Sequence, residues 1–119
     1  MKTNYLVSET QVEEIILEAI PQQFPFRFVD RLLEINEDSV VGTYRFREEE
    51  YFYQGHFKDN PITPGVILIE CMAQIGLVAQ GIYLESLRTP MEEIKAMRML
   101  FTRSDVEFLK IVYPGERVI

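Results

Sequence analysis

The chain has no tryptophan, one histidine and one cysteine. The single cysteine, Cys71, excludes an internal disulfide framework and fits a reducing compartment, so a cytoplasmic protein is expected. One histidine and one cysteine are too few for the usual Cys/His zinc site, and no metal is expected. Positive charge is also short. With 12 Lys+Arg against 19 Asp+Glu the formal net charge is −7, which argues against a general nucleic-acid binder. The opening residues, MKTNYLVSETQVEEII, lack a basic stretch followed by an apolar one, so no secretion signal is expected. Repeats, low-complexity tracts and linkers are missing too, and 119 residues fit one domain spanning 1–119. A domain of this size buries only about two-thirds of its unfolded surface, so a partner subunit would help to stabilise it.

What charge there is lies unevenly. Residues 1–70 carry 6 Lys/Arg and 13 Asp/Glu, whereas residues 71–119 carry 6 of each. An acidic partner should therefore approach the second half, where Arg88, Lys95, Arg98, Arg103 and Lys110 lie; the alternative is that these are solvated surface charges.

Ser8 and Gln11 have capping-box spacing, and Val12, Ile15, Ile16 and Ala19 then follow one helical face until Pro21. FVDRLLEI and SVVGTYRF, parted by Asn36-Glu37-Asp38, read as two strands of a hairpin. YFYQGHFKDNPITPG, residues 51–65, is too rich in Gly, Pro and aromatics to be regular. Thr63 is a plausible N-cap with Pro64 at the first helical position, and residues 66–84 read as a helix apolar on nearly every side. Glu70 and Gln74 interrupt the apolar run a bilayer needs, so no membrane span is expected and the segment reads as a core helix wrapped by a sheet. Residues 91–95 read as a short turn of helix. AMRMLFTRS and DVEFLKIV read as strands, Pro114-Gly115 as a turn and ERVI as the opening of another strand.

Two residues stand out chemically. Glu70 sits among Ile67, Ile69, Cys71, Met72 and Ala73, although glutamate is almost never buried without a partner. Burial disfavours its charged form, which suits a general acid at neutral pH, and Gln74 at i+4 can orient it. The competing reading is a structural carboxyl paired with an arginine. His56, beside Phe57 in the irregular loop, is the natural general base, or else a hydrogen-bonded structural residue. Between the two stands NPITPG. Its prolines stiffen the loop, Gly65 permits close approach to the backbone, and the first N–H groups of the helix are ready donors to an oxyanion. Base, acid and oxyanion donors together are the equipment for removing a proton beside a carbonyl and expelling a hydroxyl.

QGHFKDNPITPGVILIECMAQ closely resembles the active-site segment of the 3-hydroxyacyl-acyl carrier protein dehydratases of bacterial fatty-acid synthesis. IPQQFPFRFVDRLLEI resembles their upstream stretch and DVEFLKIVYPGERVI their later strand pair. The resemblance implies an α+β hot-dog fold, an antiparallel sheet curled around a long central helix. It implies a homodimer or higher assembly of dimers, in which each site takes its histidine from one chain and its carboxyl from the other. His56 and Glu70 become the catalytic residues, with Gly65, Val66, Gln74 and Phe57 binding substrate. The acyl chain would arrive on the phosphopantetheine of acyl carrier protein and lie in an apolar tunnel beside the helix, with no other cofactor. Glutamate at position 70 resembles the general elongation branch, since the branch that also isomerises the double bond usually carries aspartate.

The sequence departs from that pattern in three places. Gln22 stands where a histidine is frequent and Lys58 where a proline is usual. Members of the family also continue past the equivalent of Ile119 with two further strands, on the order of 20 residues, so either the sequence is incomplete at its C-terminal end, the favoured reading, or this form is truncated. Two other functions stay open. A thioesterase on the same fold would use a helix carboxylate but give no special role to a histidine in a Gly-His-Phe loop. A non-catalytic acyl-binding subunit would need neither residue.

Overall fold

The structure, a computed structural model, describes residues 9–119. Ser8, and with it the expected capping box, lies outside the described residues. Helix α1 spans Glu9–Ala19 and stops two residues before Pro21. Its buried face differs from the expected one. Ile16 and Ala19 are buried, but Ile15 is exposed and Glu13 is buried instead. Glu13 accepts bonds from Arg31 Nε at 2.8 Å and from the Leu32 backbone N–H at 2.9 Å, which ties α1 to the first strand. A carboxylate with a cation and a backbone donor can be buried where periodicity alone would place an apolar residue.

Strands β1 (Arg31–Ile35) and β2 (Val40–Arg45) pair antiparallel with a bulge between Leu32 and Glu34. Asn36 closes their turn, its Oδ1 accepting from the N–H groups of Asp38 and Ser39. The loop 51–65 is not wholly irregular, because Tyr51–Gln54 form one tight 3₁₀ turn. Helix α2 then runs Gly65–Ser86, with a wider π-helical stretch at Gln74–Ala79. By length and composition α2 could cross a bilayer. Here it lies against the sheet so closely that a Cβ at Gly42 would sit 2.8 Å from the Ile75 side chain. Helix α3 is a single turn at Met91–Ile94. Gly115, at φ +88°, turns the chain into β3 (Arg117–Val118), which pairs antiparallel with β2 and gives the sheet order β1-β2-β3.

The strands expected at 96–104 and 105–112 do not form. A strand needs a neighbour for its ladder, and no strand lies beside this segment among the described residues. The segment instead lies along α2 by side-chain contact: Met99 packs over Gly81 and Phe108 over Gly65, while Val112 O accepts a bond from the Thr63 N–H. Leu100, Phe101, Leu109 and Ile111 remain exposed.

Two cores result. Ile16, Ile20, Val29, Leu32, Val78, Ala79, Ile82 and Ile94 form an aliphatic one around the C-terminal half of α2. Phe28, Tyr44, Phe46, Tyr53, Ile67 and Cys71 form an aromatic one around its N-terminal half. In the latter the rings meet edge to face, Phe28 with Tyr44 at 5.7 Å and Tyr44 with Phe46 at 4.9 Å, the arrangement that ring quadrupoles favour.

Candidate active site

The N-terminal half of α2 and the loop before it carry the candidate residues. Gln74 is fully buried, and both its amide oxygen and its amide nitrogen are hydrogen-bonded. Its Oε1 accepts from the Phe28 N–H at 2.7 Å, and its Nε2 donates to Phe26 O at 2.9 Å and to Glu70 Oε2 at 2.8 Å. The Phe28 N–H can bond only to an oxygen, so the orientation of the amide is determined. Both amide hydrogens are then used, and Oε2 of Glu70 is an acceptor. Oε1 is therefore the favoured place for a proton carried by Glu70. The expected i, i+4 support of Glu70 by Gln74 is present, but Glu70 itself is half-buried rather than enclosed. No arginine pairs with it among the described residues.

His56 is half-buried, its ring stacked 3.8 Å from that of exposed Phe57. Its Nδ1 lies 2.9 Å from Ile62 O. A carbonyl oxygen only accepts, so Nδ1 carries the hydrogen and Nε2 of the neutral ring holds the free lone pair. The histidine loop is compact. Ile62 N–H bonds back to His56 O at 2.9 Å, and Phe57 and Asn60 exchange backbone bonds around Lys58 and Asp59, the latter at φ 58°.

The helix start differs by one residue from the expected one. Pro64 is the N-cap and Gly65 the first helical residue. Thr63 does not cap, because its hydroxyl pairs with Tyr53 OH at 2.5 Å in the buried interior. Proline offers no capping side chain, so the N–H groups of Gly65 and Val66 have no partner among the described residues. The space beside Gly65 is taken by Phe108, whose ring atoms would lie 2.9 Å from an added Cβ. Gly65 thus serves protein packing as well as any approach of a ligand.

No hydrogen bond or ion pair joins His56 to Glu70 among the described residues. A small cavity of about 10 Å³, lined by residues including Val78, Ile82, Met97 and Met99, lies toward the other end of α2. Val78 is eight residues beyond Glu70, or about 12 Å along the helix axis. Cys71 points into the core and its thiol bonds to Phe28 O at 3.2 Å; burial foremost, then Asp30 and Glu70, pushes it up to about 12. No three His, Cys, Asp or Glu side chains are grouped for a metal among the described residues.

Among the candidate surface cations, Arg88 pairs with Glu85 at 2.6 Å and Lys95 with Glu18 at 3.7 Å. Arg98 donates to the backbone carbonyls of Lys95 and Met97, and Arg103 and Lys110 are exposed.

The family model of the FabA-like domain matches residues 20–119. This chain belongs to the FabA-like family. It is 40% identical over 106 residues to the 3-hydroxyacyl-[acyl-carrier-protein] dehydratase FabZ of Caldicellulosiruptor bescii, a match covering 87% of this chain and 70% of that protein. The FabZ of Thermoanaerobacter sp. (strain X514) is 40% identical over 107 residues, covering 87% of this chain and 69% of the relative. That of Streptococcus suis is 37% identical over 105 residues, with 87% and 69% covered. The FabA-like match extends over the histidine loop, α2 and β3, so the hot-dog assignment rests on the same residues that build the site.

The residues missed from sequence are Thr63 as a side-chain partner of Tyr53, and Glu13 as a buried ion. Neither carries a periodic or motif signal, because each is made by a partner 10 or 18 residues away.

Proposed function

We propose that the chain dehydrates 3-hydroxyacyl thioesters carried by acyl carrier protein, giving trans-2-enoyl thioesters and water. The observation that carries this reading is the committed Nδ1 of His56, which leaves Nε2 as an open base in the loop that leads to an uncapped helix start. The N–H groups of Gly65 and Val66 polarise the thioester carbonyl and acidify the adjacent carbon. His56 Nε2 takes the Cα proton, and the C–H electron pair becomes the new double bond as the Cβ–O bond breaks. Glu70 gives its Oε1 proton to the departing hydroxyl, which leaves as water, and the proton on His56 returns to Glu70 before the next turnover. Each acid–base group is worth roughly 10²–10⁴ in rate, and an oxyanion donor about 10²–10³.

The working site belongs to a homodimer in which the partner's carboxyl faces each histidine. Val66, Met72 and Leu77 of α2, with Leu100, Leu109 and Ile111, are exposed apolar side chains that such a partner would cover. The acyl tail then lies between subunits, and the thiol chemistry of Cys71 is left idle in a cytoplasmic setting. No metal or redox cofactor has a step in this reaction. Phe57, stacked on His56, lines the approach of the pantetheine arm. The test is to incubate the chain with a 3-hydroxyacyl pantetheine thioester and follow enoyl thioester and free thiol together. Enoyl product without thiol is expected. Thiol release would make it a thioesterase, and binding without turnover a non-catalytic acyl binder.

A further inference from the structure

We infer that Tyr53 and Thr63 are positioning residues, whose buried hydroxyl pair holds the peptide that sets the tautomer of His56. The peptide in question joins Ile62 to Thr63. Its carbonyl receives the Nδ1 hydrogen of His56 at 2.9 Å, and its N–H donates to Val112 O at 2.9 Å. A peptide plane can rotate about the bonds on either side of it, and a turned Ile62 carbonyl would release Nδ1 and let the ring carry its hydrogen on Nε2, where it is useless as a base. The N–H to Val112 restrains one edge of that plane. The other restraint is the side chain of Thr63 itself, whose Oγ1 lies 2.5 Å from Tyr53 OH with both residues almost wholly buried.

The pair also closes the loop. Tyr53 belongs to the 3₁₀ turn that precedes the histidine, and Thr63 precedes Pro64 and the open N–H groups of Gly65 and Val66. One buried bond therefore spans the whole base-bearing segment and fastens it to the oxyanion donors. Helix capping would be the ordinary use of a threonine here, and the structure forgoes it for this contact. A base held by a group that is itself held by a third is the general arrangement of an oriented catalytic histidine.

The kinetic arm of the test rests on the dehydratase reading; the spectroscopic arm does not. His56 is the only histidine in the chain, so its ring nitrogens are resolved without assignment ambiguity. We would record their ¹⁵N shifts in the full chain above the titration of the ring. The proteins are the parent, Thr63→Ser, Thr63→Val and the double variant Tyr53→Phe/Thr63→Val, each with a thermal melt and turnover of a 3-hydroxyacyl pantetheine thioester. Removing both hydroxyls together leaves no unpaired buried group, so the double variant should melt near the parent. Parent and Thr63→Ser should show hydrogen on Nδ1. In Thr63→Val and the double variant the tautomers should mix, with kcat down about tenfold and KM within about twofold, the signature of lost orientation. Should the double variant fail to fold, Tyr53→Phe, which removes one oxygen, carries the same two readouts.

The idea is overturned if the double variant keeps the parent's nitrogen shifts, or if Thr63→Ser behaves like Thr63→Val. Turnover lost only in proportion to the folded fraction overturns it equally. A parent that turns over no hydroxyacyl thioester sinks the dehydratase reading, while the nitrogen shifts still decide the latch.

Discussion

From Gly65 to Gln74 the central helix packs on aromatic rings and on buried polar atoms, whereas around Val78 and Ile82 it packs on aliphatic side chains. The two halves are stabilised differently. In the aliphatic half the surroundings need only fill space, because dispersion and burial have no preferred direction. In the aromatic half each polar atom must meet a particular partner: Gln74 with Phe26, Phe28 and Glu70, Thr63 with Tyr53, and Cys71 with Phe28. Such contacts are directional and fail abruptly when misaligned. The half that fixes side-chain direction is the one that carries the candidates His56 and Glu70, where the proposed chemistry would depend on direction.

The largest break in this comparison should come from the chemical residues. His56→Ala and Glu70→Gln should each lower turnover by about 10²–10⁴ while the melting curve barely moves. A circular-dichroism melt beside an initial-rate assay checks both, and an active Glu70→Gln protein would make Glu70 a structural carboxyl.

Truncations in the two halves should then separate stability from function. Ile82→Ala in the aliphatic half should cost about 2–5 kcal/mol, with turnover per folded molecule unchanged. Gln74→Leu should cost roughly 1–3 kcal/mol for each backbone group left unpaired, and should also lower kcat because Glu70 loses its anchor. Urea unfolding with activity normalised to folded protein distinguishes them. Equal losses of normalised activity would erase the contrast between the halves.

A smaller effect concerns the pH dependence of the tie between α1 and β1. The Arg31 guanidinium, opposed by burial and helped by the Leu32 N–H, holds the Glu13 carboxyl below the usual carboxylate range. A depressed carboxylate stabilises the fold above its unfolded pKa, and that stability is lost as pH falls through the folded value. Glu13→Gln should therefore melt below the parent near pH 6, and the gap should close as pH drops below about 4. A gap independent of pH would mean that shape, not charge, matters at Glu13.

The smallest change should come from the surface. Reversing Arg98 and Arg103 to glutamate should raise KM for carrier-bound substrate a few-fold, more at low salt, because exposed rim charges act mainly on association rate. A free pantetheine thioester should turn over as before. Equal losses on both substrates would place those arginines in the fold or the site instead.

The hairpin, the central helix, the short turn at Met91–Ile94 and the final strand are all legible in residue order, because each follows from local periodicity or from a turn residue that permits one backbone shape. So are the His56 and Glu70 candidates, through residue type and spacing, and the support of Glu70 by Gln74, which one helical turn dictates. Contacts across the fold were decided elsewhere. Thr63 reads as a helix cap from its neighbours alone, and becomes a partner of Tyr53 only because the 3₁₀ turn folds back over the helix start. Glu13 reads as a surface residue until β1 brings Arg31 to it. Residues 96–112 have the composition of strands, yet a strand is completed by its neighbour and not by its own sequence, and no strand stands beside them among the described residues. The tautomer of His56 is the clearest case. The sequence supplies an imidazole, and only the folded position of the Ile62 carbonyl selects which nitrogen is left free to act.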